Sequence, residues 1–478
     1  MQGCAAGATS QPNILWLDAE DLSPDLGCYG TDLVHTPNLD RLASEGVLFE
    51  NAFTTSPVCS PSRTSMITGV HQTTLGAHHH RPLSHYKDGV TVPLPEDVRP
   101  ITAYLREAGY FCTNGEALTD GERGKLGYSF DYDRFESIFD GTDWTQREEG
   151  QPFFAEIHFS ETHRTFEHDP DNPIDPDEVE LPPYYPDHPL ARLDWALYLE
   201  TVQILDKKVG RVLQRLEDDG LAGNTVVFFN SDHGRPMLRG KQWCYDSGIH
   251  VPLIVRWPGQ IEPGTVRSDL ISAIDYAPTW LNIAGATLPD YLQGRDMFAD
   301  NLSRREYIYA ARDRCDEADY RIRTVRGKKY KYIRNYYPER PFTQFSAYKK
   351  REYPVLTLMQ HLDEQDELSP PQAKLMASFR DPEELYDLET DPFEINNLVN
   401  SEEHQEILQQ YRDELDLWLY ETDDQGRIQE HPEDAALIDQ LEYEEFQEEM
   451  QERGLSADVP HTEYLAWWNE RLSAIKSR

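Results

Sequence analysis

At 478 residues the chain can bury a large core and divide into a big unit and a smaller one. A hydrophobic content of 38% with 11% aromatic residues indicates a folded globular protein. A formal charge of −41, from 45 basic against 86 acidic residues, favours solubility and excludes nucleic acid as a partner, because phosphates are repelled. No apolar run approaches the roughly 20 residues that span a bilayer, which leaves no transmembrane helix.

In chain order, Gly3-Cys4 followed by Ala5-Ala6-Gly7-Ala8 resembles the end of a bacterial lipobox with its small-residue linker. The expectation is an exported protein, periplasmic or on the cell surface, that touches a membrane only through a lipid anchor on Cys4. A plain unstructured leader over residues 1–11 fits the same residues equally well. The six cysteines (Cys4, Cys28, Cys59, Cys112, Cys244, Cys315) form no Cys-x-x-Cys pair, so structural zinc and a dense disulfide framework are unlikely, while one or two disulfides stay open.

Asn13–Leu17 is a short apolar run, read as a buried strand that leads into Asp18-Ala19-Glu20-Asp21. A helical stretch ends at Gly109 ahead of Tyr110-Phe111. Phe153–Phe159 is a second strand, followed by Ser160-Glu161-Thr162-His163. Next comes a helix with Leu199, Val202, Leu205, Val209, Val212, Leu213 and Leu216 on one face and Gly220 past its end. Thr225–Phe229 and Pro252–Arg256 are further strands, and the first of these delivers Asn230-Ser231-Asp232-His233-Gly234.

Strands alternating with helices predict an α/β fold, a mostly parallel sheet sandwiched by helices, with ligands bound at the carboxyl ends of the strands. Past about residue 310 the texture changes. Arg321–Ile333 alternates around a Gly-Lys turn, as an antiparallel hairpin does, and the tail from Ser401 is acidic and helical, with Leu408, Tyr411, Leu415, Trp418 and Leu419 on one face. The expected division is 1–11 leader, 12–310 α/β domain, and 311–478 a smaller C-terminal α+β subdomain containing an antiparallel sheet and the acidic tail.

Two groups of residues carry chemistry. Glu20 and Asp21 are adjacent carboxylates at a strand end, costly unless a cation neutralises them, although a solvated acidic turn is the plainer reading of that motif alone. Pro57-Val58-Cys59-Ser60-Pro61-Ser62-Arg63, continuing to Thr68-Gly69, sets a thiol in a Cys-x-Pro-x-Arg core. A thiol near an arginine can be an activated nucleophile, whereas Cys-x-Pro by itself is more often a buried cysteine in a loop before a helix.

The whole segment resembles the signature of type I, formylglycine-dependent sulfatases of the alkaline phosphatase superfamily, and the resemblance extends over most of the chain. It implies that Cys59 is oxidised to Cα-formylglycine by a formylglycine-generating or anaerobic sulfatase-maturating enzyme. Asp18-Ala19-Glu20-Asp21-Leu22 with Gly27-Cys28-Tyr29-Gly30 resembles the family's metal motif, with Glu in place of the first Asp and Asp18 behind the ligands. The implied metal ligands are Glu20, Asp21, Asp232, His233 and the residue at position 59. So oxygen-rich a set favours Ca²⁺ over zinc and leaves Mg²⁺ or Mn²⁺ open.

Lys241, in a segment similar to the family's Gly-Lys…Tyr-Glu-x-Gly, is implied to grip sulfate, and Arg63 to steady the formylglycine hydrate near the metal. His163 matches the sulfate-facing histidine, with Thr162 where the family has Pro, and is assigned the protonation of the leaving alcohol. Gly124-Lys125-Leu126-Gly127 keeps the lysine of the family's Gly-Lys-Trp-His segment but not its histidine. His78 or His80, from the run His78-His79-His80-Arg81, is expected to face the substrate pocket and could replace that imidazole, although a surface loop fits the run equally well.

Ala311-Arg312-Asp313-Arg314 and the Ala-Glu-Asp opening look closest to the bacterial branch related to heparan N-sulfatases and polysaccharide sulfatases. A sulfated polysaccharide or oligosaccharide is then the implied substrate, with Arg312 and Arg314 as sugar contacts. An anionic substrate must approach an anionic protein. Marine ionic strength, with a Debye length of roughly a few Å, screens most of that repulsion, which points to a bacterium of a saline habitat. The alternatives are a phosphomonoester or phosphonate hydrolase on the same fold, or a non-catalytic glycan-binding protein.

Overall fold

The strands are β1 (Asn13–Ala19), β2 (Val47–Phe53), β3 (Phe111–Glu116), β4 (Phe153–Phe159), β5 (Thr225–Ser231), β6 (His250–Val251), β7 (Leu253–Arg256) and β8 (Thr265–Ser272) in an eight-stranded sheet. This computed structural model describes residues 11–87, 90–116, 122–131, 135, 137–299 and 304–477, so the expectation for Cys4 lies outside the described residues. The order β3-β4-β1-β5-β7-β2 places β1 in the middle, parallel to both β4 and β5, with β6 and β8 paired to β2. Every residue of β1, β4 and β5 is buried, which is why these strands read as continuous apolar runs.

Pro252–Arg256 departs from the parallel reading, because β7 runs antiparallel to both β5 and β2. A parallel return needs a long crossover, usually a helix. Between β5 and β6 the chain forms only the single helical turn Asp246–Ile249.

Helices α1 (Pro37–Ser44), α2 (Cys59–Thr68), α3 (Ile101–Glu107), α4 (Pro189–Asp218) and α5 (Tyr276–Ile283) cover the sheet on both faces. Leu15 and Leu17 pack with α1 and α4, while Ile14 and Trp16 pack with α2, α3 and α5, so the period-two alternation of β1 divides the core. The predicted stripe of α4 is buried along its length, and Gly220 takes the left-handed conformation just beyond it (φ 71°).

The second sheet is antiparallel and four-stranded: β9 (Ile308–Arg312), β10 (Ile322–Arg326), β11 (Tyr330–Asn335) and β12 (Glu383–Asp387). The expected hairpin is β10–β11. Since β9 starts at Ile308, this sheet straddles the expected border at 310. The helix Gln405–Glu421 buries Leu408, Tyr411, Leu415 and Trp418 against it. The last helix, His461–Lys476, returns to pack Tyr464, Trp468 and Leu472 into the same core as α4. Among the described residues the cysteines are free thiols, and no helix is long and apolar enough to cross a membrane.

Candidate active site

The site begins where β1 and β5 end. Ala19 pairs with Ser231, so Glu20-Asp21 and Asp232-His233 leave the sheet side by side at its carboxyl edge, where open α/β sheets bind ligands. The two turns are tied together: Asp232 Oδ1 accepts from the amides of Asp21 (3.0 Å) and His233 (2.8 Å). Asp21 is held at φ 50°, a conformation non-glycine residues adopt at a local cost and one concentrated at functional sites.

Cys59 joins them as the first residue of α2. All ten residues of α2 are buried although most are polar. Burial is tolerable because the hydroxyls are satisfied: Ser62 donates to the Asp232 carbonyl (2.6 Å), Thr64 to that of Ser60 (2.7 Å), and Ser65 to Gln72 (2.9 Å). This helix start directs its partial positive charge towards position 59.

Cys59 Sγ lies 3.2 Å from His233 Nε2 and 3.9 Å from Asp21 Oδ1, and His233 Nε2 lies 3.0 Å from Asp21 Oδ1. Asp21, Cys59, Asp232 and His233 are buried, and one ligand atom from each lies within 4.8 Å of the others. The group fits a metal ion. His233 Nδ1 is 2.9 Å from the Gly234 carbonyl, which can only accept, so this nitrogen carries the hydrogen and Nε2 offers its lone pair to the cluster. Asp232 Oδ2 is buried with no hydrogen-bond partner. Burial disfavours a charged His233, yet Asp232 and Asp21 hold its pKa well above 6.5, a sign of how strongly the carboxylates favour positive charge here.

Lys241 places Nζ 2.8 and 3.1 Å from the two oxygens of Asp21. Burial would raise the pKa of Asp21, but Lys241 and then His233 hold it below the usual carboxylate range. Lys125 sits at the rim on Glu20. Burial alone would lower the pKa of Lys125, and the charges of Cys59 and Glu20 raise it instead. His163 lies tilted against Tyr348 (5.7 Å between ring centres), the ring over which Lys241 Nζ also lies at 5.1 Å. Its pKa is lowered from 6.5, chiefly by Lys241 and then by burial.

Glu20 stands beside the four-residue group, where its carboxylate meets Lys125 and lies 3.8 Å from His158. Arg63 gives its donors to Asp18, Glu156 and the carbonyls of Lys125 (2.7 Å) and Leu126 (3.3 Å), so it fastens the Lys125 segment to the sheet. The chain bends at His79, whose ring lies 4.3 Å from that of His78. His80 reaches Ser60 Oγ at 2.9 Å, beside Cys59. His78 is buried elsewhere, where besides burial Asp313 and Arg323 act on it.

Arg314 is buried on Glu430 (2.6 and 2.9 Å) and the Asp316 carbonyl (2.9 Å), and Arg312 is buried over Tyr320. The residues not anticipated are Glu156 and His158. Both interrupt the apolar run of β4 at alternate positions and stand level with Trp16 and Asp18 of β1, a pattern that marks one face of a buried strand as a polar seam.

Residues 12–286 match the family model described as Sulfatase, and residues 234–364 match the model for the C-terminal part of N-sulphoglucosamine sulphohydrolase. An ulvan-active sulfatase of Formosa agariphila is 36% identical over 90% of this chain and 78% of its own length. The human N-sulphoglucosamine sulphohydrolase is 27% identical over 86% of this chain and 90% of its own. The solved structure of a 2-O GAG sulfatase shares the fold, with a TM-score of 0.63 at 19% identity over 89% of this chain and 96% of that one.

Proposed function

This chain belongs to the sulfatase family and is a sulfuric ester hydrolase, and from that premise we propose that it removes sulfate from a sulfated polysaccharide or oligosaccharide at the site around Cys59. The observation that carries the proposal is the meeting of Cys59, Asp21, Asp232 and His233 within 4.8 Å at the sheet's carboxyl edge, with Lys241 on Asp21. Ulvan-type and N-sulfated saccharides come first as substrates, from the names of the two relatives.

Oxidised to formylglycine by a maturating enzyme, position 59 would supply a hydrated aldehyde: one hydroxyl oxygen bonds to sulfur as the bond to the sugar breaks, and the other hydroxyl then expels sulfate. A divalent cation, for which we assign Ca²⁺, would be held by Asp21, Asp232, His233 and position 59, with Glu20 as the further carboxylate beside them, and would supply positive charge against these oxygens. Lys241 and Lys125 bind and orient the sulfate oxygens and stabilise the charge that develops on them. His163 holds its Nδ1 hydrogen against the Arg164 carbonyl (2.8 Å), which leaves Nε2 to deliver a proton to the leaving oxygen. Arg63 keeps the Lys125 segment in place from beneath.

An exported lipoprotein joined to its membrane through Cys4, working in saline surroundings, fits a chain of charge −41 acting on an anionic polymer. The division into 12–310 and 311–478, with a leader before them, is part of the same proposal.

The direct test is ion chromatography of sulfate released from ulvan and heparan-type oligosaccharides, with phosphate and phosphonate esters alongside. Release from sulfated saccharides is expected. Hydrolysis of phosphorus esters alone would make the chain a phosphohydrolase, and no turnover by protein carrying formylglycine would favour a glycan-binding role.

Two further outcomes follow from the site. Dialysis against a chelator should abolish sulfate release and lower the Tm, and Ca²⁺ should restore both. Restoration by Mn²⁺ or Mg²⁺ alone would change the ion. Because Lys241 lowers the pKa of His163 below 6.5 and the protonated form is the donor, kcat/KM should fall as pH rises through a midpoint below 6.5. His163→Asn should remove that limb and lower kcat by about 10²- to 10⁴-fold. An unchanged profile in the variant would give the proton to another group.

A further inference from the structure

In a chain with 86 acidic residues, two cations beside the reaction centre are buried without an acid to meet them. Lys349 is 5% exposed and Arg312 is 1% exposed. Arg312 Nε and Nη1 are buried with no hydrogen-bond partner, and among the described residues Lys349 makes neither an ion pair nor a side-chain hydrogen bond. Both heads address one indole: Arg312 Cζ lies 5.0 Å and Lys349 Nζ 5.5 Å from the ring centre of Trp243. Arg380 Cζ lies 5.6 Å from the same ring, with its Nε also unpaired.

Of the neighbouring acids, Asp316 faces Arg81 (3.6 Å) and His80 (3.7 Å) and Asp313 receives Arg323 (3.0 Å), and neither forms an ion pair with Lys349 or Arg312. Aromatic faces offset part of the desolvation of a cation but do not replace a counter-ion. Burial, and then Arg312, pull the pKa of Lys349 well below its ordinary value, with Cys315 and Asp316 opposing weakly. Two positive groups without a counter-ion against one ring are not a stable way to build a core. They are a way to receive an anion.

Their position says which anion. Trp243 follows Lys241 by two residues, and Lys349 follows Tyr348, the ring shared by Lys241 and His163. Lys349 is therefore next in sequence to the ring that Lys241 and His163 share, and the indole it faces together with Arg312 is two residues from Lys241. Resting on the reading of the site as a carbohydrate sulfatase, we propose that Lys349 and Arg312 form a second oxyanion subsite, which receives another negative group on the same saccharide, a uronate carboxylate or a second sulfate.

The test compares the wild type with Lys349→Met and Lys349→Arg on a sulfated disaccharide bearing a uronate and a second sulfate, and on 4-nitrophenyl sulfate, which has one anion. Lys349→Met should lower kcat/KM on the disaccharide by about 30-fold or more and on the aryl sulfate by less than about threefold, with Lys349→Arg recovering most of the loss. Carboxyl-reduced and singly sulfated disaccharides separate the sources: the selective loss vanishes with whichever substrate lacks the recognised group. Lys349→Met should also raise the Tm, since it removes a buried unpaired charge, and added glucuronate or inorganic sulfate should raise the Tm of the wild type more than that of the variant.

Equal losses on both substrates, or a Tm that falls in Lys349→Met, would overturn the subsite and leave Lys349 as a packing residue. If no sulfate is released from any substrate, the reading of the whole site fails, while the anion-dependent Tm shifts still decide for or against the subsite.

Discussion

Cys59→Ala is expected to lower kcat/KM for sulfate release by at least about 10⁴-fold while leaving the fold intact. The fold should survive because α2 is held by Ser62, Thr64 and Ser65, and the thiol itself only approaches His233 and Asp21. The reaction should not survive, because no other described side chain shares the helix start of α2 with the carboxylates at the ends of β1 and β5. Cys59→Ser sharpens the expectation. A serine hydroxyl can accept sulfate, but it has no second hydroxyl with which to expel it. Quenched-flow measurement should show at most one sulfate ester per enzyme and then a halt. Steady turnover by either variant would remove position 59 from the chemistry.

Lys241→Met should cost about 10²- to 10³-fold in kcat/KM, the usual loss when one group that stabilises developing oxyanion charge is removed. Its second effect is on stability. Lys241 is 3% exposed and paired with a fully buried Asp21, and breaking a buried pair from one side costs about 3–5 kcal/mol. The sign with pH follows. The lowered pKa of Asp21 contributes stability that is present above 3.8 and is lost as pH falls towards the native value. In Lys241→Met burial acts with only His233 and His163 against it, so that contribution should shrink or reverse. Urea unfolding of chelated protein at pH 5 and pH 7 should show the wild type nearly unchanged across this interval and the variant weaker at both. A variant as stable as the wild type would mean that the Lys241–Asp21 pair carries no net stability.

Much of this site is legible in the sequence, for identifiable reasons. β1, β4 and β5 are buried on both faces, so each appears as a mainly apolar run, and each run leads into residues that form the site. The stripe of α4 shows because one face of a helix with exposed residues must be apolar. Other features left weaker marks. The direction of β7 depends on the absence of a crossover helix, which no local pattern encodes. α2 is a buried helix made mostly of hydroxyl residues, and only its family resemblance distinguishes it from a surface loop.

Side-chain destinations were the least legible. The pairing of Glu20 with Lys125 joins residues more than a hundred positions apart, and no local pattern announces it. Arg63 pairs with Asp18 and Glu156, carboxylates from two different strands that meet only in the folded sheet. The choice between His78 and His80 turned on a bend at His79, and the burial of Arg312 and Arg314 depends on Tyr320 and Glu430, far along the chain.

The central claim is that position 59 must become an aldehyde for sulfate to be released. Preparations made with graded amounts of a maturating enzyme would differ in the fraction of formylglycine at position 59, read by mass spectrometry of the peptide that contains it. Sulfate release per mole of protein, plotted against that fraction, should be a straight line through the origin. Release of sulfate at full rate by protein whose Cys59 is wholly unmodified would contradict the account.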